Sequence, residues 1–142
     1  MSRVIHVDSP GKRRNQARRS IAEILRLLSR KGQIDDEARD MTALVVYCLR
    51  AVDEGIEASA EVWESRDYWL KADQLRDRWG WTGHAAARLE QLIRDDAWET
   101  LPAIMASLAE HFADIRITKM TRSAEAWTGA YDRLIDELNS RR

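Results

Sequence analysis

A chain of 142 residues with a net charge of −1 and 33% charged beside 44% hydrophobic residues is long enough to bury one core without disulfides or metals. Its single cysteine, Cys48, excludes an intrachain disulfide. The longest uninterrupted apolar run, residues 43–49, is far too short to cross a bilayer, and residues 1–8 lack an apolar signal region, so a cytoplasmic protein is expected.

In chain order, residues 1–8 read as a short arm in which Val4, Ile5 and Val7 are β-branched. Ser9 and Pro10 form a helix start, the hydroxyl capping and the proline fitting the first turn, where its missing N–H is no loss. The first helix is expected to run to Lys31 with Ala17, Ile21, Ile24, Leu25 and Leu28 on its apolar face. Gly32 is its expected left-handed cap. The turn at 32–34 is so short that the next helix, capped by Asp35, should return antiparallel as a hairpin.

Residues 35–79 contain no proline and only Gly55 as glycine, and read as one long helix. Met41, Leu44, Val45, Cys48, Leu49, Val52, Ile56, Val62 and Trp63 recur at helical spacing on one face. Tyr68, Ala72, Leu75 and Trp79 repeat at the same spacing but point nearly the opposite way. Either the helix breaks or bends at 64–67, or its far half packs against something other than the core its near half serves. Further helices are expected over 83–94, with Thr82 as cap, from Thr100 or alternatively Asp96 onward, and over 121–138, with 115–118 as a connection. The later apolar faces are Leu101, Ile104, Met105, Leu108, Phe112 and Ile115, then Trp127, Tyr131, Leu134, Ile135 and Leu138. These elements predict an all-α, single-domain bundle of about five helices over 9–142, with a first hairpin (10–31 and 35–79) built on one long helix.

Charge is segregated. Residues 1–31 carry nine Lys or Arg against two acids, whereas residues 35–67 carry ten acids against three Arg. The basic segment Lys12, Arg13, Arg14, Arg18 and Arg19 would suit sequence-independent binding to nucleic acid, but no docking motif follows it, and an overall pI of about 6.3 does not favour that reading. The opposing expectation is that the basic helix lies along the acid-rich one and pairs with it.

Glu54, Glu57, Glu61 and Glu64 form a carboxylate row on one face, roughly opposite the Met41 stripe. A di-metal bundle needs Glu-x-x-His pairs, and here the positions preceding His84 and His111 hold Trp81 and Leu108. The 10–12 stretch lacks the spacing of a phosphate loop, and the histidines stand apart from any nucleophile motif. No cofactor, metal or enzymatic activity is expected.

Trp63, Trp69, Trp79 and Trp81 fall with Tyr68 within nineteen residues, beside Arg66, Arg76 and Arg78. Such a cluster suits an interface hot spot or, as a further reading, an aromatic pocket for a small molecule; bulky helix packing is the plainer alternative. Arg66 and Asp73 continue the first stripe's phase and become solvated if the helix bends. The sequence therefore points to a non-enzymatic protein that associates with another protein or with itself as a homo-oligomer. Its expected contact surface is Tyr68, Trp69, Leu75, Trp79 and Trp81.

Overall fold

The structure is a computed structural model that describes residues 9–141; the arm expected over 1–8 lies outside them. Six α-helices and two 3-10 turns, with no strand among the described residues, form an all-α bundle: α1 (Pro10–Ser29), α2 (Asp36–Ser65), α3 (Trp69–Trp79), α4 (Trp81–Arg94), α5 (Leu101–Glu110) and α6 (Ala130–Ser140). No helix of the described residues is long and apolar enough to cross a membrane.

The first hairpin is built as the caps imply. The Ser9 side chain accepts a hydrogen bond from the Lys12 N–H, Pro10 occupies the first turn of α1, and the Asp35 carboxylate accepts from the Ala38 N–H at the start of α2. Gly32 does not adopt the expected left-handed cap, since Gly129 is the only glycine with positive φ among the described residues. Instead α1 tightens at its end, where Arg30 and Lys31 donate to the carbonyls of Leu27 and Leu28.

The expected long helix over 35–79 is two helices. Tyr68 N–H donates to the Trp63 carbonyl and Asp67 N–H to that of Glu64, with Asp67 at φ 64°, so α2 closes in a Schellman motif whose left-handed residue is aspartate. The accompanying apolar contact is the edge-to-face pair of Trp63 and Tyr68, 5.7 Å between centroids. After this break α3 packs back against α2. The second apolar stripe is thereby used within the chain: Ala72 is buried, and Leu75 and Trp79 are half-buried. Ala60 of α2 is likewise fully buried, and Arg66 and Asp73, freed by the break, are exposed.

The main core lies around the first half of α2, which packs against α1, α4 and α6. Ile21, Ile24, Met41, Val45, Leu49, Leu89, Leu101 and Leu134 are its centre. Gly83 brings α4 close to α2, since a Cβ there would meet the Asp53 carboxylate at 3.0 Å. Across the same interface Arg50 of α2 reaches Glu90 of α4 at 2.6 Å and Glu137 of α6 at 2.8 Å, and the Tyr47 hydroxyl donates to Glu137.

Two expected helices start elsewhere. Thr82 lies inside α4 rather than capping it, its hydroxyl donating to the Trp79 carbonyl. The last helix begins at Ala130 rather than at Thr121, because Gly129 sits at φ 82° and interrupts it; the Asp40 carboxylate of α2 then caps α6 by accepting from the N–H groups of Gly129 and Tyr131.

The segment before α6 is fastened to α1 by one buried carboxylate. Glu23 is 0% exposed. One of its oxygens accepts from the N–H groups of Thr121 and Arg122, the other from the Thr121 hydroxyl and the Arg19 guanidinium. Burial alone would raise its pKa, but these donors overcome that penalty and hold it at about 2, below its ordinary 4.5. Because the folded value is the lower one, this contribution is present above about pH 4.5 and is lost as pH falls toward 2.

Asp67→Gly should stabilise the chain by about 0.5–1 kcal/mol, since glycine relieves the left-handed backbone and no side-chain bond is sacrificed. Asp96, also left-handed at φ 50° where α4 ends, accepts from the buried Trp98 indole N–H, so Asp96→Gly should give no such gain. Urea unfolding midpoints of the two variants check the contrast. Glu23→Gln should cost about 2–4 kcal/mol at neutral pH, because it replaces one accepting oxygen with an amide NH2 that faces other donors. The variant's unfolding free energy, followed from pH 6 to pH 2, should lose much of the steep acid decline of the parent chain.

Candidate functional site at the α2–α3 elbow

Where the charged residues lie decides which surfaces remain available. The basic residues of α1 do not lie along the acidic helix. Arg18 makes a two-pronged ion pair with Asp114, at 2.7 and 3.2 Å, and donates to the His111 carbonyl. Its position holds the Asp114 carboxyl below its usual range. Arg19 binds Glu23 and the carbonyls of Arg116 and Lys119, and Arg26 binds the carbonyl of Ile117. The Arg14 guanidinium lies 5.1 Å from the centre of the Trp79 ring. Of the five cations of the nucleic-acid reading, Arg14, Arg18 and Arg19 are thus engaged within the chain, and Lys12 and Arg13 are exposed.

Pairing between the two charged segments is confined to their turn, where Lys31 meets Asp35 and Glu37 at 3.0 and 2.9 Å; along the helices it fails for a geometric reason. Apolar faces make the α1–α2 contact, so the polar faces look outward to other segments. The carboxylate row finds its partner in α3, where the Arg76 guanidinium bridges Glu57 and Glu64, each at 2.7 Å, and lowers the pKa of both. Glu54 and Glu61 are exposed. No group of three or more His, Cys, Asp or Glu is placed to hold a metal among the described residues. Cys48 is packed against the core, and burial pushes its thiol up to about 11, so it is protonated at neutral pH.

The aromatic cluster is divided. Tyr68 and Trp69 stand at the elbow between α2 and α3, 53% and 57% exposed. Trp79, about 15 Å further along α3 by its rise per residue, is half-buried, with the guanidiniums of Arg14, Arg18 and Arg78 at 5.1, 5.7 and 5.6 Å from its ring centre. Trp81 stacks on His111, 3.7 Å between centroids and 8° from parallel, and meets the Phe112 ring edge-on. Leu75 is half-buried. The five expected contact residues are therefore divided among an outward tip, Tyr68 and Trp69, a half-buried middle, Leu75, and an inward end, Trp79 and Trp81.

Two residues missing from the expected surface complete the tip. Val62 is 50% and Leu70 is 71% exposed. Val62, expected on the buried stripe, lies about 120° around the helix from Ile56, and Ala60 is the residue buried there instead. Lys71 leans over this tip, its ammonium 4.5 Å from the Trp63 ring and 5.8 Å from that of Tyr68.

The tryptophans do not converge on one pocket. Trp127 lies in the core, and Trp98 alone of the six lines a groove of about 580 Å³ where the end of α1 and the following turn face α5. Leu25, Leu28, Leu101 and Met105 form its apolar floor, and Pro102, Ala106 and Ala109 belong to its α5 side. No family model, curated protein or solved structure matches this chain.

Proposed function

We propose that the chain is a non-enzymatic, cytoplasmic protein-association module, and that it docks through the α2–α3 elbow. The observation that carries this reading is the gathering of all the large apolar side chains exposed by half or more among the described residues, Val62, Tyr68, Trp69 and Leu70, at one corner. Exposed apolar groups that are scattered need no explanation, whereas a contiguous tip with Tyr and Trp has the composition of an interface centre. The α2–α3 hairpin suits presentation of such a tip. It is braced by Arg76 and by the close contact of α3 on α2, so little conformational freedom remains to be lost on docking. Exposed Glu61 and Lys71 beside it supply a polar rim.

Self-association is the simplest form of this reading. Binding of nucleic acid through α1 has weaker support, since Arg14, Arg18 and Arg19 already hold other parts of the chain.

Light scattering behind a sizing column tests the proposal. The expected mass is that of two or more chains and persists in high salt, because apolar burial is not screened. Trp69→Ala with Leu70→Ala should weaken association by at least about 2 kcal/mol, roughly thirtyfold, while helical content and melting temperature stay near those of the parent. Trp79→Ala should instead lower the melting temperature, because its ring supports Arg14 and Arg18. A monomer at all concentrations would remove self-association.

A further inference from the structure

We infer that the groove between α1 and α5 is a binding site for a compact, neutral, apolar small molecule. This inference does not depend on the elbow, which is built from other helices. Its volume of about 580 Å³ falls within the range of small-molecule sites, about 300–1,000 Å³. Its floor residues Leu25, Leu28, Leu101 and Met105 also border a void of about 10 Å³ together with the core residues Val45 and Leu89. The recess exists because α5 contributes small side chains. Ala106 and Ala109 line the groove and are exposed, so beyond Leu101 and Met105 in the floor no large α5 side chain fills the space there.

Length and charge decide the occupant. The stretch of α5 along the groove, 102–109, spans about 10 Å at the rise of a helix. The 31–34 turn and Trp98 with Glu99 also line it, beside the end of α1 and the start of α5, so the lining is a patch about two helical turns long, the size of a compact molecule rather than of a long helix.

Lys31 is the one cation among the lining residues, and Asp35 and Glu37 already hold its ammonium at 3.0 and 2.9 Å. A carboxylate or phosphate ligand would have to compete with both. Glu99, the one acid, is exposed at the rim and does not call for a buried cation. An apolar body with at most one uncharged polar group directed toward Gln33 fits these constraints.

Titration of the full chain with N-phenyl-1-naphthylamine, a neutral fluorescent probe, tests the site. Saturable enhancement at one probe per chain is expected, with competition by decanol stronger than by decanoate. Ala106→Trp should weaken the probe at least tenfold by filling the groove, Ala109→Leu should act in the same direction if the first variant folds poorly, and Trp69→Ala with Leu70→Ala should leave binding unchanged. Absence of saturable binding, or equal binding by the filled variants, overturns the inference. Preference for decanoate overturns the assignment of a neutral ligand. A change of chain mass on filling the groove would instead identify it as a contact between copies and overturn the small-molecule reading.

Discussion

Helix α2 is longer than the core it serves, and most of the architecture answers that mismatch. Thirty residues extend about 45 Å, while α1, α4 and α6 cover chiefly its first half. The far half would leave Val52, Ile56 and Ala60 open to water. With the helix broken at Asp67 and α3 folded back over it, all three are buried along with Ala72, Val52 lying beside the start of α1, and the Arg76 bridge to Glu57 and Glu64 locks α2 to α3. One end of the arrangement stays uncovered, because a hairpin of two helices has no third layer at its turn. The exposed tip is thus a consequence of the same break that completes the packing.

Electrostatics follows a similar logic of third parties. The basic and acidic helices are neighbours, yet each sends its charges elsewhere: α1 to residues 111–122, α2 to α3 and to the start of α6. Glu23 shows why this is favourable. A buried carboxylate is costly unless its oxygens are satisfied, and the two N–H groups of Thr121 and Arg122 supply donors that no side chain of α2 could place there. In exchange the irregular segment before α6 has its backbone held in place. Asp40 performs the corresponding service at Gly129.

The features legible in the sequence were those with a local cause. Ser9, Pro10 and Asp35 announced helix starts because capping is decided within a turn, and the stripes of α1 and α5 reported their buried faces. The reversal of apolar phase near 64–67 was visible too, but the choice between a break and a second partner was not, since Asp67 in a left-handed conformation replaces the glycine that usually marks such an end. Leu70 was missed for that reason. The groove was illegible because it arises from what α5 lacks opposite α1, a relation between residues some 75 apart in sequence. Glu23 was likewise hidden: one acid on a basic helix reads as an ordinary surface pair until its distant backbone partners are known.

The two apolar surfaces left by this fold differ in a way that bears on what each can hold. At the elbow, large side chains stand outward from a braced hairpin, and their area becomes useful only when a broad surface covers them together. In the groove, small side chains on α5 leave space in front of large ones on α1, so the apolar surface curves inward and a molecule of a few tens of atoms can touch floor and wall at once. Convex aromatic surface favours macromolecules, and concave aliphatic surface favours small ones. The positions that distinguish them are modest in chemistry, Trp69 and Leu70 on one side and Ala106 and Ala109 on the other. Size rather than polarity would therefore separate the occupants proposed for the two surfaces, and either surface can be altered at these positions without substituting a residue of the main core around α2.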